Sequence, residues 1–238
     1  MKTQKALDSF DVVEQVISTH NNISHFYALD VPSPPPLQER LAPKFMDPFI
    51  LREAAELKRR YALPFWDAYF VAAREDPSNA GDVFRAALIH DEAASRLQKF
   101  ESKNVSSLRQ VEQSMKPGKM LAISSKVELR GGEVRHIPML DFHCTASSVN
   151  LTLAQAAIAA LRPRTLGFLL RSGKSYHYYG LDLLTRSELF KFLARATLLG
   201  PIVDTRWAAH QIIEGACALR IGSGHGYENL PSVVSEFL

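Results

Sequence analysis

The sequence is poor in cysteine. Cys144 and Cys217 are the two in 238 residues, and they form no Cys-x-x-Cys pair. This argues against a disulfide framework and a structural zinc module, and it fits a reducing, cytoplasmic setting. No run approaches the roughly 18 consecutive apolar residues of a membrane helix, so no membrane partner is expected. The opening MKTQKALDSFDVVEQ has no apolar stretch, and no signal peptide is expected there. A strong excess of one charge sign is missing too, the formal balance being +3. No internal repeat is visible. What is present is an ordinary globular balance, 46% hydrophobic and 22% charged, in a chain long enough to bury a core without staples. The length suits one large domain, or one domain with a smaller companion.

The charge is unevenly spread. Residues 161–225 carry nine basic side chains against four acidic ones. That suits a phosphate-rich ligand, although a solvated basic face would look the same.

Two textures divide the chain. In the first, Phe10, Val12, Val13, Val16 and Ile17 fall near helical spacing, and VPSPPPLQERLAP (31–43) is a proline-rich connector. Helices are predicted over 47–76, with Pro48 and Pro64 in first-turn positions, and over 79–100. Phe65, Trp66, Tyr69 and Phe70 read as helix core. The texture changes near residue 118. KMLAISSKVEL (119–129), a Gly131-Gly132 turn and EVRHIPMLDFHC (133–144) predict a β-hairpin. A helix over 150–163 follows, then strands over 165–172 and 176–184. A helix capped by Thr185 or Ser187 comes next, then a short strand at 201–204. A helix stopped by Gly215 and a strand over 217–223 complete the pattern. The expected fold is α/β: a mostly helical N-terminal region, 1–117, followed by an α/β sandwich with a mostly antiparallel sheet, 118–238.

Gly173-Lys174-Ser175 is the end of a phosphate-binding P-loop, but the rest of that motif is missing. Its first glycine belongs at position 168, where Phe168 stands; Gly167 is one residue early. The loop must also feed a helix, whose N-terminus helps hold the phosphates, whereas YHYYG reads as a strand. A P-loop is therefore excluded.

A different set fits better. Met139-Leu140-Asp141-Phe142-His143 ends a strand, and alternation puts Asp141 and His143 on one face. Ser172-Gly173-Lys174-Ser175-Tyr176-His177 is a donor-rich turn. Ile202-Val203-Asp204 closes an apolar stretch with an acid. Acids at two strand ends with a donor-rich loop between them are the minimum for a metal–triphosphate site. Plainer readings stand beside this one. Asp141 could be a turn acid, Asp204 a helix N-cap, His143 and His177 packed histidines, and Arg171 and Lys174 surface charges. Arg220 in an apolar strand needs a partner, either a phosphate or an acid such as Asp141. His25, His90 and His210 carry no assigned role.

The order of these elements resembles the archaeo-eukaryotic primase, or primase-polymerase, superfamily. Its three motifs are a strand reading hydrophobic-hydrophobic-Asp-hydrophobic-Asp, a Ser-Gly-x-x-x-His-like loop, and a hydrophobic-Asp strand. The resemblance covers about residues 118–230. Arg220 to Gly226 is similar to the Arg…Ser-x-His-Gly stretch that follows the third motif, with one residue fewer between Arg and Ser. The resemblance implies a metal-dependent nucleotidyltransferase acting on DNA or RNA with nucleoside triphosphates. Asp141 and Asp204 would be metal ligands. Ser172, Gly173, Lys174, His177, Arg220, Ser223 and His225 would hold the nucleotide. His143 stands where the family has its second acid. It would be an unusual third ligand, suited to Mn²⁺ better than to Mg²⁺, or the sign of a site that holds one metal poorly, or a mark of lost catalysis. The alternatives are a catalytically degenerate nucleotide- or nucleic-acid-binding subunit of a replication or defence complex, and a metal-dependent phosphoesterase. A protein partner supplying template handling is expected, in a plasmid, phage or defence setting.

Overall fold

A computed structural model describes residues 6–32, 47–74, 81, 84, 87–88, 96–163, 166–224 and 227–237. Helix α1, Ser9–Thr19, starts where the Asp8 side chain accepts the Phe10 and Asp11 backbone N–H groups and the Asp11 side chain answers at the Asp8 N–H. The same two acids receive Arg109, whose guanidinium lies 2.6 to 2.9 Å from them. Phe10, Val12, Val13, Val16 and Ile17 form the buried stripe of α1, as their spacing predicts.

Two antiparallel sheets make the main unit. The first runs β2 (Arg96–Glu101), β1 (Ile23–Pro32), β3 (Lys119–Leu129), β4 (Val134–His136). Strand β8 (Ala218–Arg220) also pairs with β3, at Ala122 to Ser124, beside the stretch that β4 occupies. The second sheet runs β5 (Met139–Asp141), β7 (Tyr176–Gly180), β6 (Gly167–Arg171), β9 (Ser232–Phe237). One hydrophobic core is shared by both sheets and α1. It includes Phe26, Ile123, Phe142, Phe168 and Tyr178.

The helices of the main unit show their boundary signals. Helix α4 (Leu108–Gln113) follows a 3₁₀ turn. Helix α5 (Ser147-capped, Ser148–Leu161) contains no charged residue. Helix α6 (Arg186–Ala196) opens with a Thr185–Glu188 capping box, and α7 (Thr205–Glu214) runs from Asp204 to Gly215, which adopts the left-handed conformation at φ +81°.

The α/β class and the antiparallel pairing agree with the sequence, and helices are prominent before residue 118. The compact units divide elsewhere than at 117/118. Residues 1–33 and 94–238 form one, and residues 34–93 the other. The cause is pairing. β1 and β2 add to β3, so N-terminal residues complete the first sheet. The end of the helix expected over 79–100 is strand β2, held to β1 with Phe100 stacked on Phe26 at 5.4 Å; part of that span lies outside the described residues. The hairpin expected over 119–144 is real for β3 and β4, but β5 leaves it for the second sheet.

The second unit contains α2 (Pro48–Tyr61), capped by Asp47, and α3 (Phe65–Ala73). Tyr69 is fully buried there with Ile50, Ala54, Ala68 and Ala72, and Phe65, Trp66 and Phe70 pack around them. These aromatics are helix core, as their spacing predicts. No described helix is long and apolar enough to cross a membrane.

Candidate active site

The chain brings its two motif acids together through its backbone. Strand β5 pairs with β7 on one side, setting Asp141 opposite His177. On the other side the following residues meet the segment before α7. Phe142 bridges Val203, the His143 N–H donates to the Ile202 carbonyl at 2.9 Å, and the Asp204 N–H donates to the Asp141 carbonyl at 3.0 Å. Two acids 63 positions apart are thus adjacent across a backbone hydrogen bond. Asp204 is also a helix cap, its Oδ1 accepting the Trp207 N–H at 2.9 Å. Its Oδ2 lies 4.0 Å from His143 Nδ1.

Burial and the nearby Asp204 push the Asp141 carboxyl well above its usual range; the Phe142 N–H and Arg220 pull the other way. A buried carboxyl whose ionisation a neighbouring carboxylate opposes is what a divalent cation relieves. Asp141, Asp204 and the His143 imidazole supply the donor types for Mn²⁺ or Mg²⁺, the imidazole favouring Mn²⁺. Among the described residues no three His, Cys, Asp or Glu side chains converge as a ready-made cage. Cys144 lies beside them, and burial followed by the Asp141 charge pushes its thiol up, which keeps it protonated.

Residues 172–175 form the turn of the β6–β7 hairpin, with Arg171 opposite Tyr176 and the Ser172 N–H donating to the Ser175 carbonyl at 2.9 Å. The Gly173-Lys174-Ser175 run therefore joins two antiparallel strands, and no helix follows it. Gly173 has φ +107°, a conformation that favours glycine. Lys174 is exposed, while its carbonyl accepts the Ala146 N–H at 2.8 Å next to the start of α5. The Ser175 hydroxyl donates to the Phe142 carbonyl and ties the turn to the acid strand.

His177 is 7% exposed. Its Nε2 faces Asp141 Oδ1 at 3.6 Å, and among the described residues its Nδ1 makes no hydrogen bond of good geometry. Burial, then the Arg220 charge, push its pKa down to about 3; the Arg220 carbonyl pulls weakly the other way. The ring is neutral at pH 7. The buried Tyr179 hydroxyl, two residues along the same face, also lacks a hydrogen bond among the described residues. Burial pushes it well above the ordinary phenol range.

Arg220 has the partners its burial demands, and they are carbonyls. Nη1 donates to Gly222 at 2.6 Å and Asn229 at 3.3 Å, and Nη2 donates to Ser172 at 2.6 Å. Its guanidinium carbon lies 4.5 Å from the Tyr227 ring centroid. Ser223 donates its N–H and its hydroxyl to Glu112 Oε1, at 3.1 and 2.6 Å. His225 lies outside the described residues. The structure thus gathers Asp141, Asp204, His143, His177, Ser172 and Arg220 in one region and holds Ser223 against Glu112. Tyr179, Glu112 and Tyr227 had no signal in the sequence, because what surrounds each is set by the fold and not by local spacing.

A family model described as archaeo-eukaryotic primase 1D-like matches residues 100–231, more than half of the chain, and the protein belongs to this primase-related family. Searches of curated proteins and of solved structures give no match.

Proposed function

We propose that the protein is a metal-dependent nucleotidyltransferase that joins nucleotides from nucleoside triphosphates on a DNA or RNA template. A 3′-hydroxyl oxygen would bond to the α-phosphorus as the α–β phosphoanhydride bond breaks, its proton passing to solvent and pyrophosphate leaving. The observation that carries this reading is the pairing of Asp141 with Asp204 at the ends of two separate segments, beside the turn of a donor-rich hairpin.

Asp141, Asp204 and His143 would hold the metal ion, which when bound neutralises phosphate charge and polarises the reacting phosphorus–oxygen bonds. Neutral His177 serves as a hydrogen-bonding group for the nucleotide. Arg220 contributes a fixed positive charge at the back of the site, and Lys174 a mobile one at its edge. Such chemistry is mostly positioning and charge stabilisation, so a rigid arrangement of acids and cations is what it needs. Template handling by a protein partner and a cytoplasmic, mobile-element or defence setting accompany the reading.

A second reading has one observation in its favour. Arg220 and Ser223 already have intramolecular partners, as they would in a binding subunit that has lost catalysis. One experiment separates the two. Primed template, unprimed single strand and nucleotides are incubated with Mn²⁺ or Mg²⁺ and either wild type or Asp204→Asn. Metal-dependent product that disappears in the variant supports the transferase. Nucleotide binding without product from folded protein replaces it with the binding subunit, and strand cleavage without added nucleotide points to a phosphoesterase.

A further inference from the structure

We infer that Tyr227 is a positioning residue for the nucleotide, a clamp that locks the β6–β7 turn and Arg220 into one body. This rests on the nucleotidyltransferase reading and names a residue outside every motif that led to it. Three observations place the Tyr227 ring. Its face covers the Arg220 guanidinium, 4.5 Å from the centroid. Its edge faces the turn, close enough that a Cβ added to Gly173 would meet Tyr227 Cδ1 at 3.6 Å. Its backbone exchanges two hydrogen bonds with Gly224, at 3.0 and 2.8 Å, which fixes the ring's base.

Arg220 completes the connection. Through Nη2 it holds the Ser172 carbonyl in the turn, and through Nη1 it holds Gly222 and Asn229, on either side of Tyr227 in sequence. The turn at 172–175 has no sequence proximity to Gly222, Tyr227 and Asn229, yet all converge on the guanidinium. Hydrogen bonds fix that group only in its plane. A ring on its face removes the remaining freedom, because a cation over an aromatic face is held by the ring's quadrupole. The turn next to the ring carries Ser172, Gly173 and Lys174, and the strand behind it carries His177. Displacing the ring frees Arg220 out of plane and releases the Ser172 carbonyl, and the turn loses its registration with Asp141.

The test compares Tyr227→Phe with Tyr227→Leu, which keeps apolar bulk but has no aromatic face. Hydrogen exchange at the Ser172 amide is read in the ligand-free proteins. ATP with Mn²⁺ is then titrated without nucleic acid, and KM and kcat are measured where extension occurs. The expected result is faster Ser172 exchange, about tenfold weaker ATP binding and a raised KM with unchanged kcat for Leu, and near wild-type behaviour for Phe. Wild-type exchange and affinity in the Leu variant overturn the proposal, as does a Phe variant that fails alongside it. If the wild type binds no ATP while exchange still depends on the ring, the nucleotide role falls with the nucleotidyltransferase reading, and the clamp remains a structural tie.

Discussion

Two histidines, one in each sheet, are buried to nearly the same degree, His136 at 3% and His177 at 7% exposure. Burial depresses both, His136 to about 4 and His177 to about 3. Their surroundings differ. His136 Nδ1 meets the Ser125 hydroxyl at 3.2 Å, and that hydroxyl also accepts the Cys217 N–H at 2.8 Å. The His136 backbone exchanges two 2.8 Å hydrogen bonds with Leu184. Among the described residues His177 has an Nδ1 without a hydrogen bond, an acid at 3.6 Å and, two residues along, a tyrosine hydroxyl without a hydrogen bond. A low pKa therefore does not separate scaffold from site, whereas the state of the polar partners does. Unmet hydrogen-bonding capacity in a native interior calls for an explanation, and at His177 it coincides with the acid pair.

The largest expected effect sharpens this contrast from the site side. Asp204→Asn keeps a side-chain oxygen for the Trp207 N–H, and asparagine caps helices as well as aspartate does. Stability should stay within about 0.5 kcal/mol by thermal unfolding, while strand extension falls by roughly 10³-fold. An equal loss of both would show that Asp204 is a cap and nothing more. Asp141→Asn should lose activity as severely yet raise the melting temperature of the metal-free protein, because it removes an ionisation that burial and Asp204 oppose.

The histidines themselves come next. His177→Phe should weaken ATP binding by roughly 10- to 100-fold with little loss of stability, since it removes an imidazole left partly unsatisfied. His136→Phe should do the reverse, costing about 1–3 kcal/mol while activity per folded molecule is kept, because the Ser125 hydroxyl loses a partner. Matching phenotypes would break the comparison.

The pH dependence concerns both. Each folded pKa lies below the unfolded value of 6.5, so the unfolded chain takes up protons first. The stability they contribute is fully present above pH 6.5. It is lost as pH falls toward about 4 for His136 and about 3 for His177. For His136 the loss is on the order of 3 kcal/mol. Urea unfolding of wild type and His136→Phe between pH 7 and 4 should converge as the pH drops.

The smallest effect is in metal choice. His143→Asp restores the carboxylate of the family motif and should shift the preference from Mn²⁺ toward Mg²⁺ by about tenfold, read by metal titration as well as by activity.

The sequence made the second half of the chain readable where local chemistry decides. The Thr185–Glu188 box, the Asp204 cap and the Gly215 stop each announce a helix boundary within four residues. The failed spacing around Gly173-Lys174-Ser175 was enough to exclude a P-loop, and a hairpin turn is what stands there. Strands β1, β2 and β9 were not foreseen, because their strand character comes from neighbours. Phe100 is a strand residue by virtue of Phe26, 74 positions earlier. Arg220 was recognised as a charge in need of a partner, but not that backbone carbonyls from Ser172, Gly222 and Asn229 would supply it. Side-chain spacing carries no information about which loop carbonyls will face a guanidinium.

The register of β1 and β2 also bears on how the chain can be edited. Asp30 lies opposite Arg96, the last pair of the β1–β2 ladder, so the two strands stand about 5 Å apart close to where β1 ends at Pro32 and β2 begins. Residues 34–93, the other compact unit, are inserted in sequence between these two strands. A short tight turn can bridge such a gap, so the first sheet is a socket: exchange or removal of the inserted residues is expected to leave β5 and β7, the strands of the second sheet that carry Asp141 and His177, in place.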